Sequence, residues 1–432
     1  MALSQKMRRL TCVPLLLAAA GLVPPAEAQD AAVAEYFRWD PEAPPPEIDC
    51  RGEAEGDEPR HARAATVCGD LVVDGKLRAA MRQHRAGDLV AALDAYDASI
   101  EALRAEGDAR DPRLIAPLQG RGMALRALDR HVEASEALAA AMHLQRIADG
   151  LHAPGTLALQ PHLLHSFVMA GRVDAAAQRL QAGVATVAQA YGSDSQPYVA
   201  ALEAASDYLQ RLGRHEQALE MRKDWLARLE QLHGRDAPEL APALRAVAES
   251  ERLIGQPELG TVDALSRLAG RMARDAPEAV QEAQEAIATM IALGDYYFAF
   301  GDTFRARGAY GRAGKALAAA PASMLASQLA EPAPLTALPR VLGGAGNAGQ
   351  RLRAVRAQLR FSVDTRGRVH ELTIESVAPG IPEALQERLR RSVLGARFRP
   401  RIGEKGVESV EAHRWEYRFL APAATVAAPE SS

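Results

Sequence analysis

The chain has 432 residues with a formal net charge of −4, 48% hydrophobic and 25% charged residues, and three cysteines. That length accommodates two or three domains. A mildly acidic balance without a basic aromatic platform excludes a nucleic-acid binder, and so few cysteines exclude a cysteine-built metal scaffold.

At the N-terminus, Lys6, Arg8 and Arg9 precede a run of fourteen residues, Leu10 to Val23, in which only Thr11 is polar, and Ala26-Glu27-Ala28 follows. This is the order of a secretory signal. A membrane span needs about 20 apolar residues, and Pro14 and Pro24 shorten the run further. Cleavage near Ala28 and export to the periplasm are therefore expected. An uncleaved leader would instead anchor the chain in the inner membrane. Cys12 leaves with the leader, and Cys50 and Cys68, eighteen residues apart, remain. In an oxidising compartment they are expected to form a disulfide stapling the Pro-rich segment 29–75. Closing such a loop contributes about 3 kcal/mol.

The strongest signal is internal. Gly87-Asp-Leu-Val-Ala-Ala92, Asp129-Arg-His-Val-Glu-Ala134, Gly171-Arg-Val-Asp-Ala-Ala176 and Gly213-Arg-His-Glu-Gln-Ala218 align without a gap, their final alanines 42 residues apart. A fifth copy, Gly255-Gln-Pro-Glu-Leu-Gly260, keeps the register. Gly or Asp at the first position predicts a left-handed end to one helix. The small residue five positions on lets a second helix approach closely. Tyr96 and Ser99, Leu138 and Ala141, and Leu180 and Gly183 then face the next pair. Each hairpin presents an apolar face that only a neighbour can cover, so the units stack.

These residues resemble the tetratricopeptide family, with the closest match in a sixth unit: Met290-Ile-Ala-Leu293-Gly294-Asp-Tyr-Tyr297, then Ala306, Tyr310 and Ala313. The family's usual period is 34 residues, and a period of 42 resembles its longer variant. The likeness spans residues 76–318 and implies a helical solenoid that holds partners. In that family the first helix of each pair lines the groove, which nominates Gln119, Arg126, His165, Asp207, Arg211, Arg245 and Arg252 as partner-binding residues.

From 319 to 350 the chain turns to Pro332, Pro334, Pro339 and a glycine cluster, which reads as a linker. Gly344-Ala-Gly346-Asn-Ala-Gly349 matches GxGxxG, with Asp364 twenty residues on. A dinucleotide site needs a strand before that motif and a helix after it. Here no strand precedes it, and Val355, Ala357, Leu359, Phe361 and Val363 alternate as a strand after it, so no cofactor is expected.

Residues 351–421 read as strand, turn, strand, helix, strand, strand. Asp364-Thr-Arg-Gly367 is a hairpin turn, Leu385, Leu389 and Val393 stripe a helix that Pro382 starts, and His413, Trp415, Tyr417 and Phe419 share one face of the closing strand. The segment holds fifteen Lys/Arg against nine Asp/Glu, unlike the acidic repeats. Val363-Asp-x-x-Gly367-x-Val369, Arg390-Arg391-Ser-Val, Arg397-Phe398-Arg-Pro400 and the Gly403–Gly406 turn resemble the C-terminal domain of the TonB energy-transducer family. The resemblance implies strand addition of a transporter segment to the edge near 410–420, where His413, Arg414 and Glu416 are the candidate contacts. Residues 422–432 read as a disordered tail.

Eleven histidines are scattered without a metal-binding spacing. His162 and His165 lie three apart on a helix, a pair more often unliganded than metal-bound. No nucleophile elbow or phosphate loop occurs. The expected fold is therefore mainly α: a tetratricopeptide-type α-solenoid followed by a small α+β domain similar to the TonB C-terminal one. The expected function is a non-catalytic periplasmic scaffold for protein or peptide partners in the cell envelope, without cofactor or metal. The alternative is an accessory transducer acting on outer-membrane transporters.

Overall fold

The computed structural model describes residues 33–38, 75–274, 280–319, 331–342, 351–404 and 406–423. The leader, Cys50 and Cys68, the glycine cluster at 343–349 and the tail from 424 lie outside the described residues. Two compact units are distinguished: residues 1–205 with 348–351, and residues 206–347 with 352–432.

Among the described residues, twelve helices form consecutive antiparallel pairs. They are α1 (Gly75–Arg85) with α2 (Leu89–Ala105), α3 (Ile115–Ala127) with α4 (His131–Asp149), α5 (Gln160–Met169) with α6 (Val173–Tyr191), α7 (Gln196–Arg211) with α8 (His215–His233), α9 (Ala241–Ile254) with α10 (Leu259–Met272), and α11 (Val280–Ala299) with α12 (Thr303–Ala319). The border between the two units falls inside α7.

The repeat has a local cause. Gly87, Gly171, Gly213, Gly255 and Gly301 all have φ between 72° and 90°, and Asp129 at the same register position has φ 58°. The residue after each then donates its N–H back to a carbonyl five positions earlier: Arg130 to Leu125 at 2.8 Å, Arg172 to Phe167 at 2.7 Å, Arg214 to Leu209 at 2.9 Å, and Gln256 to Glu251 at 3.0 Å. This closure satisfies carbonyls that a helix end would leave open. Five residues on, Ala92, Ala134, Ala176 and Ala218 are completely buried, because a larger side chain would hold the two helices apart.

In the first unit a single cluster joins Ile100 and Leu103 of α2, Leu118 of α3, Leu138, Ala141 and Met142 of α4, and Leu163 of α5. Three successive pairs share it. In the second unit α11 and α12 meet where Gly294 faces Tyr310: a Cβ on Gly294 would lie 2.5 Å from the tyrosine ring.

The C-terminal part is a three-stranded antiparallel sheet in the order β3-β2-β7, built from β2 (Leu352–Val363), β3 (Val369–Val377) and β7 (Val410–Pro422). Leu359 lies opposite both Ile374 and Trp415, and Phe361 opposite His413. Val355, Leu359, Phe361, Tyr417 and Phe419 make one buried face with Leu389 and Val393 of α13 (Glu383–Gly395). The remaining strands are β1 (Ala333–Pro334) paired with β4 (Phe398–Arg399), and a small hairpin of β5 (Arg401–Gly403) with β6 (Gly406–Glu408).

One expectation needs correction. The stretch read as a linker is not free where it is described. Ala333 and Pro334 pair with β4, Leu335 and Leu342 are completely buried, and Tyr417 donates its hydroxyl to the Pro339 carbonyl at 2.5 Å. Its prolines lack donors but keep their carbonyls, so a Pro-rich strap can still accept hydrogen bonds at a sheet margin. The sheet also meets the last repeat. A Cβ on Gly314 of α12 would lie 2.1 Å from the Gly403 carbonyl oxygen of β5, and the Arg397 guanidinium sits 4.7 Å over the Phe298 ring. Both belong to the second unit.

Candidate functional site

The groove-facing residues nominated from the sequence all lie on first helices of their pairs: Gln119 and Arg126 on α3, His165 on α5, Asp207 and Arg211 on α7, Arg245 and Arg252 on α9. Two of them line one cavity. An open cleft of about 330 Å³ separates α9 from α11, with Pro242, Ala246, Ala248, Ala288, Ile291 and Ala292 supplying apolar wall and Arg245, Glu249, Arg252, Asp295 and Arg399 supplying charge. Small side chains on facing helices leave the space, and long guanidinium stems cross it.

The three arginines are not equivalent. Arg245 donates to the Glu285 carboxylate and to Thr289 Oγ1 at 3.2 Å. Arg399 donates to Asp295 Oδ2 and to the Glu331 carbonyl, each at 3.1 Å. Arg252 reaches only the Pro334 carbonyl, at 3.2 Å, and among the described residues no carboxylate pairs with it. Behind the cleft, Tyr310 donates its hydroxyl to Asp295 Oδ1 at 2.8 Å. Burial, with the Asp295 charge behind it, pushes that hydroxyl's pKa far up, so it stays a donor. A charged guanidinium without its own carboxylate, beside an apolar wall, matches a ligand with one acidic group and a hydrophobic stretch.

A second polar knot fixes the cleft's back. Glu251 is fully buried and accepts from Thr261 at 2.6 Å and Tyr296 at 2.8 Å. Nearby, buried Arg222 of α8 donates to Ser250 Oγ at 2.8 Å and to the Ala246 carbonyl at 2.9 Å. These bonds hold α9 against its neighbours from inside the unit.

The other nominated residues are dispersed. Gln119 is half-buried. Arg126 is 6% exposed and contacts His162 Nδ1 at 3.2 Å, so it is packing, not free groove surface: its long stem reaches the next pair. His165 stacks edge-on against His131, ring centres 5.5 Å apart. The two neighbouring histidines thus face different partners, and among the described residues no group of three or more potential ligands could hold a metal. Asp207 and Arg211 pair with each other at 2.7 Å on the surface.

On the sheet, His413 is mostly covered, packed edge-on against Phe361 at 5.4 Å. It therefore belongs to the core face, not to the docking edge. Arg414 is exposed and meets Glu375 at 3.3 Å, and Glu416 accepts from Gln358 at 3.1 Å. Part of the β7 edge is already used: Leu420 donates to the Arg340 carbonyl and accepts from the Leu342 N–H, both at 2.7 Å, and Arg340 caps the Arg418 carbonyl at 3.3 Å.

Sequence reasoning missed Glu249, Asp295 and Arg399 as cleft residues. Asp295 carried a signal, an acid within the apolar run Met290 to Tyr297. Arg399 carried none, because only the fold brings it 104 positions back along the chain.

No protein-family model and no curated protein matches this chain. Among solved structures, a kinesin light chain-type protein of nearly identical tetratricopeptide-like repeats from Podosopora anserina aligns at 19% identity over 48% of this chain and 97% of its own, with a TM-score of 0.37. BtubC from P. vanneervenii aligns at 17% identity over 58% and 92%, with a TM-score of 0.32. The Rap conjugation gene regulator of plasmid pLS20, in complex with the Phr* peptide, aligns at 14% identity over 60% and 85%, with a TM-score of 0.26. Scores that low carry no weight of their own, and the stacked-hairpin fold rests on the backbone and packing of this chain.

Proposed function

We propose that this chain is a non-catalytic adaptor of the bacterial cell envelope, holding a protein segment in the cleft between α9 and α11. The observation that carries this reading is Arg252, a cation that among the described residues has no carboxylate partner, beside the apolar wall of Ala288, Ile291 and Ala292. The partner segment is one that brings an acidic group to Arg252 and lays aliphatic side chains along that wall. Export to the periplasm follows from the leader, whose cleavage Edman sequencing of the mature chain would settle.

A second strand-binding role is supported by the sheet. The motifs Val363 to Val369 and Arg397 to Pro400 that resemble the TonB C-terminal domain lie on this sheet and its margin, and backbone groups at Arg414 and Glu416 share the outward edge with Leu420 by the two-residue period of a strand. In this reading the chain acts on an outer-membrane transporter as an accessory transducer. No helix among the described residues is long and apolar enough to cross a membrane.

The test places a photoreactive amino acid at Ala292 in the full chain expressed in its envelope. A discrete protein adduct is expected, lost on Arg252→Glu and retained on Arg267→Glu, a distant surface change. Adducts indifferent to Arg252→Glu would remove the cleft from the proposal. The same probe at Arg414 tests the strand edge separately.

A further inference from the structure

The first unit contains a place where the repeat is broken three times at one spot. At the position 42 residues before and after Gln160 the chain has Leu118 and Leu202, and Leu244 follows in the next copy. These leucines are 5%, 1% and 2% exposed, whereas Gln160 is completely buried in the same slot. Gly183 stands where Ser99, Ala141 and Trp225 stand in other copies, and Arg179 where Ala137 and Met221 stand. A Cβ on Gly183 would lie 2.3 Å from Gln160 Oε1, so the missing side chain makes room for the amide. Arg179 Nε donates to Gln160 Oε1 at 3.2 Å.

A buried amide in a leucine slot is unfavourable unless it is satisfied. Gln160 is satisfied by something outside the repeats: its Nε2 donates to the Tyr36 carbonyl at 3.2 Å. Residues 33–38 form one helical turn, with Tyr36 N–H to the Val33 carbonyl and Phe37 N–H to the Ala34 carbonyl, each at 3.1 Å. Val33 and Phe37, four residues apart and hence on one face, are 2% and 1% exposed. The turn is seated as a bound peptide is, by two apolar anchors and one captured carbonyl. Along the chain, 36 residues, 39–74, separate it from α1.

The seat is not fully matched. Arg179 is 9% exposed, and among the described residues its Nη2 finds no acceptor. The charge of Arg146 acts on it in addition to burial. The turn's own acid, Glu35, instead points outward and pairs with Arg38 at 3.4 Å.

We propose that this pair, α5 with α6, is a docking site for a short helical turn carrying an aliphatic and an aromatic residue four apart and a carboxylate for Arg179, and that residues 33–38 occupy it in cis. Being part of the same chain gives the turn a high local concentration, so an imperfect cis segment holds the site until a better-matched one arrives. The site lies in the first unit and does not depend on the α9/α11 cleft, so failure at Ala292 leaves it standing.

The test uses the full chain with Phe37→Asp, which unseats the turn, and a fluorescein-labelled synthetic peptide of residues 31–37. The variant is expected to bind the peptide at least tenfold more tightly than the unaltered chain. Adding Gly183→Leu should abolish that binding. A peptide ending in a free carboxylate at Phe37 should bind severalfold better than the amidated one, with the advantage lost in Arg179→Met. Where Phe37→Asp loosens the pair itself, the peptide should restore amide-exchange protection to residues 160–169. The absence of both an anisotropy rise and restored protection at millimolar peptide would overturn the docking site, and equal binding of acid and amide would overturn the carboxylate.

Discussion

Arg399 of β4 lies 3.1 Å from Asp295 of α11, and their side chains are only 10% and 13% exposed. The pair ties the small sheet to the last helical hairpin from inside, with the Tyr310 hydroxyl completing the shell around Asp295. Such a pair draws little net stability from its own attraction, but removing one member strands the other in a poorly solvated place.

Asp295→Ala is therefore expected to destabilise the second unit by about 3 kcal/mol, read as a shift of the urea midpoint. The double variant Asp295→Ala with Arg399→Met should recover part of that loss, because no unpaired charge remains. A double variant as unstable as the sum of the single ones would show that the two residues act independently.

A second lock is steric. With the Gly314 Cα so close to the β5 backbone, Gly314→Ala forces either α12 or the β5–β6 hairpin to move. Overpacking of this kind costs about 1–3 kcal/mol. Gly311 on the same helix has open space where a Cβ would be. Gly311→Ala should instead be neutral or mildly stabilising through helix propensity. Thermal unfolding of the two variants side by side separates them, and equal shifts would dismiss the contact.

The repeat was legible because its cause is local. A left-handed residue and an alanine five positions later act within one hairpin, and so recur as a pattern in the sequence. The alternation of Val355 to Val363 and the stripe of Leu389 and Val393 were readable for the same reason. What could not be read was anything joining distant parts. Arg126 looks like any groove arginine until His162 covers it, and Arg399 looks like a motif residue until Asp295 meets it. The strap 331–342 has loop composition, yet its carbonyls and two leucines find a sheet. Gln160 and Gly183 depart from the register, but only the contact with Tyr36 gives the departure a meaning.

Asp129 is the one non-glycine at the repeated left-handed position. L-residues with a side chain pay for that conformation in steric strain, so Asp129→Gly should raise stability by about 0.5–1 kcal/mol. Its exposed pairing with Arg351, at 2.6 Å, offsets little of that gain. Gly255→Ala, at the equivalent position, should lower stability by about 1 kcal/mol. Denaturant titration measures both, and changes of the same sign would contradict the backbone account.

His131 makes the first unit sensitive to acid. It is 4% exposed, and burial holds its pKa down to about 4, against an opposing pull from Asp129 and reinforcement from Arg351 and Arg126. The edge-on ring beside it is that of His165. The unfolded chain takes up a proton near pH 6.5, whereas the folded one resists until about pH 4. In that window the unfolded state binds more protons, so stability is fully present above pH 6.5 and drains away as the pH falls toward 4. The full loss approaches about 3 kcal/mol. His162, pushed down to about 3 by burial and then by the Arg126 charge, acts in the same direction. His131→Gln keeps a polar side chain of comparable size but cannot charge. Its melting temperature should therefore fall less between pH 7 and pH 5 than that of the unaltered chain. Parallel curves for the two proteins would mean that this imidazole is not what the acid attacks.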